Sequence, residues 1–315
     1  MKRLWLALAI FNLQAAFASE SVIRLGVVNV YAHGLAVGAS SVFDQSLIIT
    51  DYPNARVSFK ADFNSTDDFY AALGDRLGAT VSSFESAHVI RPACSTNLQP
   101  ETLVPPLSEK SVTFNFNRVP VAGLLEVVAK ESGLPIDSGQ ISVEHRTVGL
   151  RLHRFTWRRA YQVVLHATGA SLVKQGADYR VLGGDAQSSC LRPTTPETGA
   201  PSPTKCPMME HPLVKKIGKP VVCEPLEAYP LPELVVRGFM TFNATRFVLL
   251  EASDRNTFFV KIGDYLGHHF GKIAAVDDEG FVVREIMEDS DGMYYFAKTS
   301  ISYDNKRTEL SREYP

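Results

Sequence analysis

Hydrophobic and polar positions alternate along this chain with two different periods. In the first block, Ile23 to Val30 alternates as a strand does, Leu35 to Phe43 has helical spacing, and Val57-Ser58-Phe59-Lys60 alternates again. An amphipathic helix over Asp67 to Leu77 follows, then Gly78-Ala79 and two further short strands. The second block repeats this order. Val112 to Phe116 predicts a strand. Val121 to Ser132 predicts a helix whose stripe is Leu124, Leu125, Val127 and Val128 and whose stop is Gly133. Val148 to Arg151, a helix over Thr156 to Thr168, Gly169-Ala170 and two strands complete it. The repeat is ungapped over its matching positions: Tyr70 falls on Tyr161, Gly78 on Gly169 and Ile90 on Val181, always by the same shift. The order expected in each copy is β-α-β-β-α-β-β, and one helical layer on one small mixed sheet makes each an α+β sandwich.

From Leu234 onward the period is that of strands alone. Leu234 to Met240, Phe247 to Leu250, Thr257 to Ile262, Lys272 to Val276, Phe281 to Ile286 and Met293 to Ala297 give at least six, separated by turns such as Asp254-Arg255-Asn256, Asp277-Asp278-Glu279-Gly280 and Asp289-Ser290-Asp291-Gly292. Phe258, Val260 and Ile262 share one face of their strand, so one wall should be buried. The fold class expected is therefore an α+β and all-β multidomain protein, two βαββαββ sandwiches followed by a small β-sandwich or partly open barrel.

Proline clusters separate the blocks. Prolines 92, 100, 105 and 106 fall in one cluster, and prolines 193, 196, 201, 203, 207, 212 and 220 in another. Such stretches bury too little apolar surface to offset chain ordering. The division expected is a leader over 1–18, modules over 19–91, 111–182 and 225–304, linkers over 92–110 and 183–224, and a tail over 305–315. Lys2 and Arg3 precede an apolar run from Leu4 to Leu13, and Ala16-Phe17-Ala18 supplies the small residues of a cleavage site. The alternative, a membrane anchor, would need roughly 20 apolar residues, more than this run offers. The expectation is export by a cleaved signal, with no membrane span after it.

Charge then excludes one class of partner. Lys and Arg total 32 against 34 Asp and Glu in 315 residues, which leaves no basic surplus to neutralise a nucleic-acid backbone. Without Lys2 and Arg3 the balance is 30 against 34, too mild to point to an anionic membrane surface.

Two resemblances sharpen the reading. The strand SVTFNF, the helix VAGLLEVVAKESGL, the segment VGLRLHRFTW, the helix RRAYQVVLHATGASL and the strand ADYRVL, all within Ser111 to Leu182, resemble the short amino-terminal domain shared by outer-membrane secretins and TonB-dependent receptors. The first copy departs from it: Thr66 stands where the second has Trp157, and its first helix carries Gly34 and Gly38. The last block resembles the periplasmic domain of the type IV pilus assembly protein PilP family, and more distantly the homology region of type II secretion protein C. The residues that carry this are Leu226, Tyr229 and Pro230 ahead of Leu234, then Gly238, Val260, Gly263-Asp264-Tyr265-Leu266-Gly267, Gly271-Lys272-Ile273 and Glu285. The resemblance implies a periplasmic, non-enzymatic adaptor that binds secretin amino-terminal domains and links pilus or secretion assembly components. It also suggests docking of 111–182 on the β block in cis. The family's typical lipobox is missing, so its anchoring does not transfer. The alternative is a signalling module related to receptor amino-terminal domains.

Within that reading, Leu234, Val236, Gly238 and Met240 are the candidate partner contacts if their strand lies at a sheet edge, where unpaired N–H and C=O groups can take up another chain. A central strand buried in its own sandwich is the alternative. Gly263, Asp264, Tyr265, Leu266 and Gly267 read as part of a contact surface or as a tight turn. Cys94, Cys190, Cys206 and Cys223 fall in or beside the linkers and suit disulfides; of three pairings, Cys94–Cys190 with Cys206–Cys223 is favoured. No catalytic group, cofactor or metal site is expected. His268 and His269 would point to opposite faces of an extended chain, His211 between Cys206 and Cys223 lacks a further ligand, and no phosphate loop, zinc helix or nucleophile elbow appears.

Overall fold

The computed structural model describes residues 22–52, 54–93, 107, 110–142, 147–176, 178–182 and 224–314. The first block folds as β1 (Ile23–Tyr31), α1 (Ala32–Val42), β2 (Ser46–Thr50), β3 (Arg56–Phe63), α2 (Thr66–Leu77), β4 (Ala79–Phe84) and β5 (Ala87–Pro92). The second gives β6 (Ser111–Pro120), α3 (Val121–Ser132), β7 (Ile136–Ser142), β8 (Thr147–Thr156), α4 (Trp157–Thr168), β9 (Ser171–Gln175) and β10 (Asp178–Leu182). The third is β11 (Val235–Phe242), β12 (Thr245–Glu251), β13 (Thr257–Val260), β14 (Tyr265–Leu266), β15 (Gly271–Val276), β16 (Gly280–Glu288), β17 (Tyr294–Ser302) and β18 (Arg307–Glu313), entered through 3-10 turns at Pro225–Ala228 and Leu231–Glu233.

The element order expected for the two copies is the one observed, and the repeat reaches the helix caps. The shift that carries Gly78 onto Gly169 carries Thr66–Leu77 onto Trp157–Thr168. Both helices start on a hydroxyl cap, Ser65 accepting from the Asp68 amide at 3.0 Å and Thr156 from the Arg159 amide at 3.4 Å. Both stop on a left-handed glycine, φ 61° at Gly78 and 66° at Gly169.

Pairing departs from the picture of separate sandwiches. Strands from different blocks share sheets: one sheet runs β13-β12-β11-β1-β3, a second β4-β5-β2-β8-β6, a third β7-β10-β9 and a fourth β14-β15-β16-β17-β18. Each α+β copy is split into a strand pair and a strand triplet. The pair of the second copy (β6, β8) joins the triplet of the first through β2 and β8, and the pair of the first (β1, β3) joins β11 of the last block. The physical reason is burial on both faces. In β2, Leu47 and Ile49 pack with α1 and α2 while Ile48 packs toward α4, so a short apolar strand needs neighbours above, below and beside it.

Layers follow from which faces are apolar. One face of the sheet containing β1 and β11 packs on α1 and α2 through Ile23, Leu25, Val27, Phe59, Met240 and Leu249. Its other face, through Val236, Val248, Leu250 and Val260, meets Leu266, Ile273, Phe281, Val283 and Ile301 of the fourth sheet, which makes the sandwich expected of the last block. Beyond α1 and α2 lies the β2 sheet, covered on its far side by α3 and α4. Residues 305–315, expected as a tail, hold β18, which hydrogen-bonds along β17. Its sequence RTELSRE is almost wholly polar, so no hydrophobic period betrays the strand.

Candidate functional site

The strand expected to offer an open edge is enclosed. β11 pairs with β12 on one side and with β1 on the other, Leu25 opposite Met240 and Gly26 opposite Phe239. β11 is therefore a central strand, in a sheet that the first block completes: Leu234, Val236 and Met240 are buried, and β1 takes the backbone edge over Gly238 to Thr241. A bulge between Val236 and Gly238 turns Val236 toward the fourth sheet and Met240 toward α1. At the bulge the Val236 amide donates to Oδ1 of Asn305 at 2.7 Å, and Nδ2 of Asn305 donates back to the Val236 carbonyl at 3.2 Å. Gly238, at φ 149°, has no room for a side chain, since a Cβ there would lie 1.9 Å from the carbonyl oxygen of Gly26.

Close approach also accounts for the two glycines that set the first copy apart. α1 crosses β13, and a Cβ at Gly34 would fall 1.4 Å from Oγ1 of Thr257, while one at Gly38 would fall 2.8 Å from the ring of Phe259. The glycine pair is one helical turn apart and leaves the helix surface bare where the side chains of Thr257 and Phe259 pack against it. Sequence reading saw Gly34 and Gly38 only as a departure. The spacing itself was the signal of a tight helix face. The β domain takes its strand partner from β1 and its helix contact from α1, both in the first block; none of its strands pairs with a described strand of 111–182.

Polar groups lock the same junction. Glu251, buried at the end of β12, receives Nη2 of Arg237 at 2.7 Å and both terminal nitrogens of Arg56, at 3.3 and 3.4 Å. Arg56 begins β3, so this carboxylate ties the first block to the last. The same guanidinium lies 3.6 Å above the ring of Tyr31 and donates to the carbonyl of Asn29 at 2.5 Å. Two arginines on one buried carboxylate satisfy it through charge-assisted hydrogen bonds, while both guanidinium side chains stay partly open to solvent.

The GDYLG run is a turn in which each residue has a structural task. Oδ2 of Asp264 accepts from the Lys261 amide at 2.9 Å, Gly263 takes φ 98° and Gly267 φ 77°. The Tyr265 amide donates to Oε2 of Glu224 at 3.2 Å and the Gly267 amide to the Leu226 carbonyl at 3.1 Å, which fastens the entering 3-10 turn to β14. Tyr265 and Leu266 are buried; Lys261 and Ile262 are not, and Ile262 is 59% exposed at the head of the turn. Ile262 lies beyond the end of β13, so it does not join Val260 in the wall as the alternation suggested.

Glu285 is buried beneath Gly267, whose added Cβ would lie 3.5 Å from its Oε1; desolvation raises its pKa to about 7, partly offset by Arg307. Nη2 of Arg307 donates to the Leu231 carbonyl at 2.8 Å. Nε2 of His268 lies 3.0 Å from the Ala228 carbonyl, and burial and His268 lower the pKa of His269. Among the described residues no group of three or more His, Cys, Asp and Glu side chains could hold a metal ion, and no helix is long and apolar enough to cross a membrane. Cys94, Cys190, Cys206, Cys223 and His211 lie outside the described residues.

No curated protein and no solved structure matches the chain significantly. A family model does, over residues 219–302, and its description is Pilus assembly protein, PilP. The match begins just before the 3-10 turns and ends at the last residue of β17, so it spans the sandwich described above except β1, β3 and β18. The carboxy-terminal part of this chain, with its buried β11 and its GDYLG turn, is a domain of the PilP pilus assembly family.

Proposed function

We propose that the chain is a non-enzymatic adaptor of type IV pilus assembly that works in the periplasm and binds the amino-terminal domains of an outer-membrane secretin. The family match over 219–302 carries this reading. The resemblance of 111–182 to secretin amino-terminal domains supports it, as does the direct seating of the first block on the PilP-family domain. Because β1 already fills the β11 edge, the part of the expected contact surface that stays open is Gly263 and Asp264, and the exposed Ile262, expected in the buried wall, lies beside them. An exposed isoleucine on a rigid, hydrogen-bonded turn suits a small apolar contact framed by Lys261 and Asp264.

Crosslinking of intact envelopes followed by purification of the tagged chain tests this. Recovery of secretin and pilus assembly proteins, lost in Ile262→Asp while the melting temperature is unchanged, is the expected result. Recovery of neither, or equal recovery with Ile262→Asp, rejects the adaptor role or the contact surface respectively.

A further inference from the structure

The contact that joins the two α+β copies is one that their own repeat provides for twice. In the first copy β2 lies parallel to β5, which pairs with β4; in the second β7 lies parallel to β10, which pairs with β9. The strand pairs β1–β3 and β6–β8 correspond in the same way. The copies meet because β8 lies antiparallel on the outer edge of β2, with Leu47 opposite Arg151, Ile49 opposite Gly149 and Thr50 opposite Val148. By the repeat, Val148, Gly149 and Arg151 of β8 fall on Val57, Ser58 and Lys60 of β3, and β2 falls on β7. Among the described residues β3 is the last strand of its sheet, and so is β7. One molecule thus presents the edge that β8 uses and, elsewhere, the edge that β2 offers.

We propose that β3 of one copy pairs antiparallel with β7 of a second copy, which repeats between chains the β8-on-β2 contact within the chain. The edges are complementary rather than identical, so the contact is head-to-tail and generates a ring or a filament according to the rotation between copies. Burial differs in the sense that a missing neighbour would leave. Gly149 and Arg151 are buried where β8 meets β2 and α1, whereas their counterparts Ser58 and Lys60 are exposed. α1 is covered where β6 and β8 cross it, whereas its counterpart α3 keeps Val127 at 52% exposed. An open strand edge recruits another strand through main-chain hydrogen bonds, and here the internal copy of the contact specifies direction and register. Ser58 is expected opposite Ile141 of the next copy.

The test uses the full-length protein with p-benzoylphenylalanine in place of Lys60, mixed with an isotope-labelled copy and irradiated, beside sedimentation over a range of concentration. Concentration-dependent association, with crosslinks between labelled and unlabelled chains that map to residues 136–142, is expected. The same probe at Leu310, exposed on β18, should give no such crosslink. A single monomeric species at the highest soluble concentration, crosslinks that map elsewhere, or capture of a different protein on 136–142 would each overturn the proposal. Secretin recovery in the envelope experiment reads a different surface, so the two ideas fail separately.

Discussion

Gly34→Ala is the sharpest probe of how α1 meets the PilP-family domain. In solvent-exposed helix interiors the change stabilises by ~1 kcal/mol, because alanine loses less backbone entropy. Here the new Cβ would lie 1.4 Å from Oγ1 and 2.7 Å from Cβ of Thr257, so relief requires α1 and β13 to separate by about 2 Å if ordinary carbon contacts of ~3.5–4.0 Å are restored. Overpacking of this kind costs ~1–3 kcal/mol, and separation also loosens Leu35, Ala36 and Ala39 from the core they share with Met240 and Leu249. The net expectation is destabilisation by ~1–2 kcal/mol, opposite in sign to the propensity effect. Thermal and urea unfolding of the wild type, Gly34→Ala, Thr257→Gly and the double variant closes a cycle. The double variant should be more stable than the sum of single effects by ~1 kcal/mol or more, since Thr257→Gly removes the atoms that clash. Additivity within ~0.5 kcal/mol, or a Gly34→Ala protein more stable than the wild type, would refute close packing of α1 on β13.

Three further outcomes follow from the junction and the sandwich. Glu251→Ala removes the buried carboxylate that Arg56 and Arg237 share and leaves two partly buried cations side by side, so it should destabilise by ~1–3 kcal/mol in urea titrations, whereas Asp62→Ala, whose partner Arg24 is well exposed, should change stability by less than ~1 kcal/mol. Glu285 has a folded pKa raised from 4.5 to about 7, so the native state holds its proton longer than the unfolded chain does; stability from this group is full below about pH 4.5 and falls as pH rises through 7, by at most ~3 kcal/mol. Melting curves of Glu285→Gln should lack the decline between pH 5 and 8 that the wild type shows, and parallel pH profiles would contradict the burial. Lys272, Arg284 and Lys298 stand directly opposite one another on β15, β16 and β17, and Glu313 bonds the last two, at 3.4 and 2.5 Å; Glu313→Gln should lower the melting temperature, and added salt should narrow the difference.

Local features were legible where sequence spacing and stop signals agree. Ser65 and Gly78, or Thr156 and Gly169, bracket apolar spacing that only a helix satisfies, and the third block's turns separate strands that alternate. Pairing across long sequence distances was not legible. β2 is the run Ser-Leu-Ile-Ile-Thr, buried on both faces, and it carries no alternation by which to recognise a strand or its neighbours. β1 and β11 lie more than 200 residues apart in sequence, and a strand's period fixes which side chains share a face while leaving open which edge it meets. Leu234 to Met240 is therefore legible as a strand, while its place at an edge or in the centre is not, and β1 decides it. β18 carries no hydrophobic period because Arg307, Glu309, Arg312 and Glu313 make its pattern polar: Glu313 pairs with Arg284 and Lys298 of neighbouring strands, Glu309 with Arg312, and Arg307 donates to the carbonyls of Leu231 and Leu234.

The central claim is that the amino-terminal strand completes the sheet of the PilP-family domain. Nuclear magnetic resonance of the full-length protein tests it most directly, through cross-strand contacts and amide exchange at β11. Contacts between Leu25 and Met240 and between Gly26 and Phe239, with slow exchange along residues 238–241, are expected. Rapid exchange along those residues and no contact with residues 24–27 would show β11 as an open edge and contradict the claim.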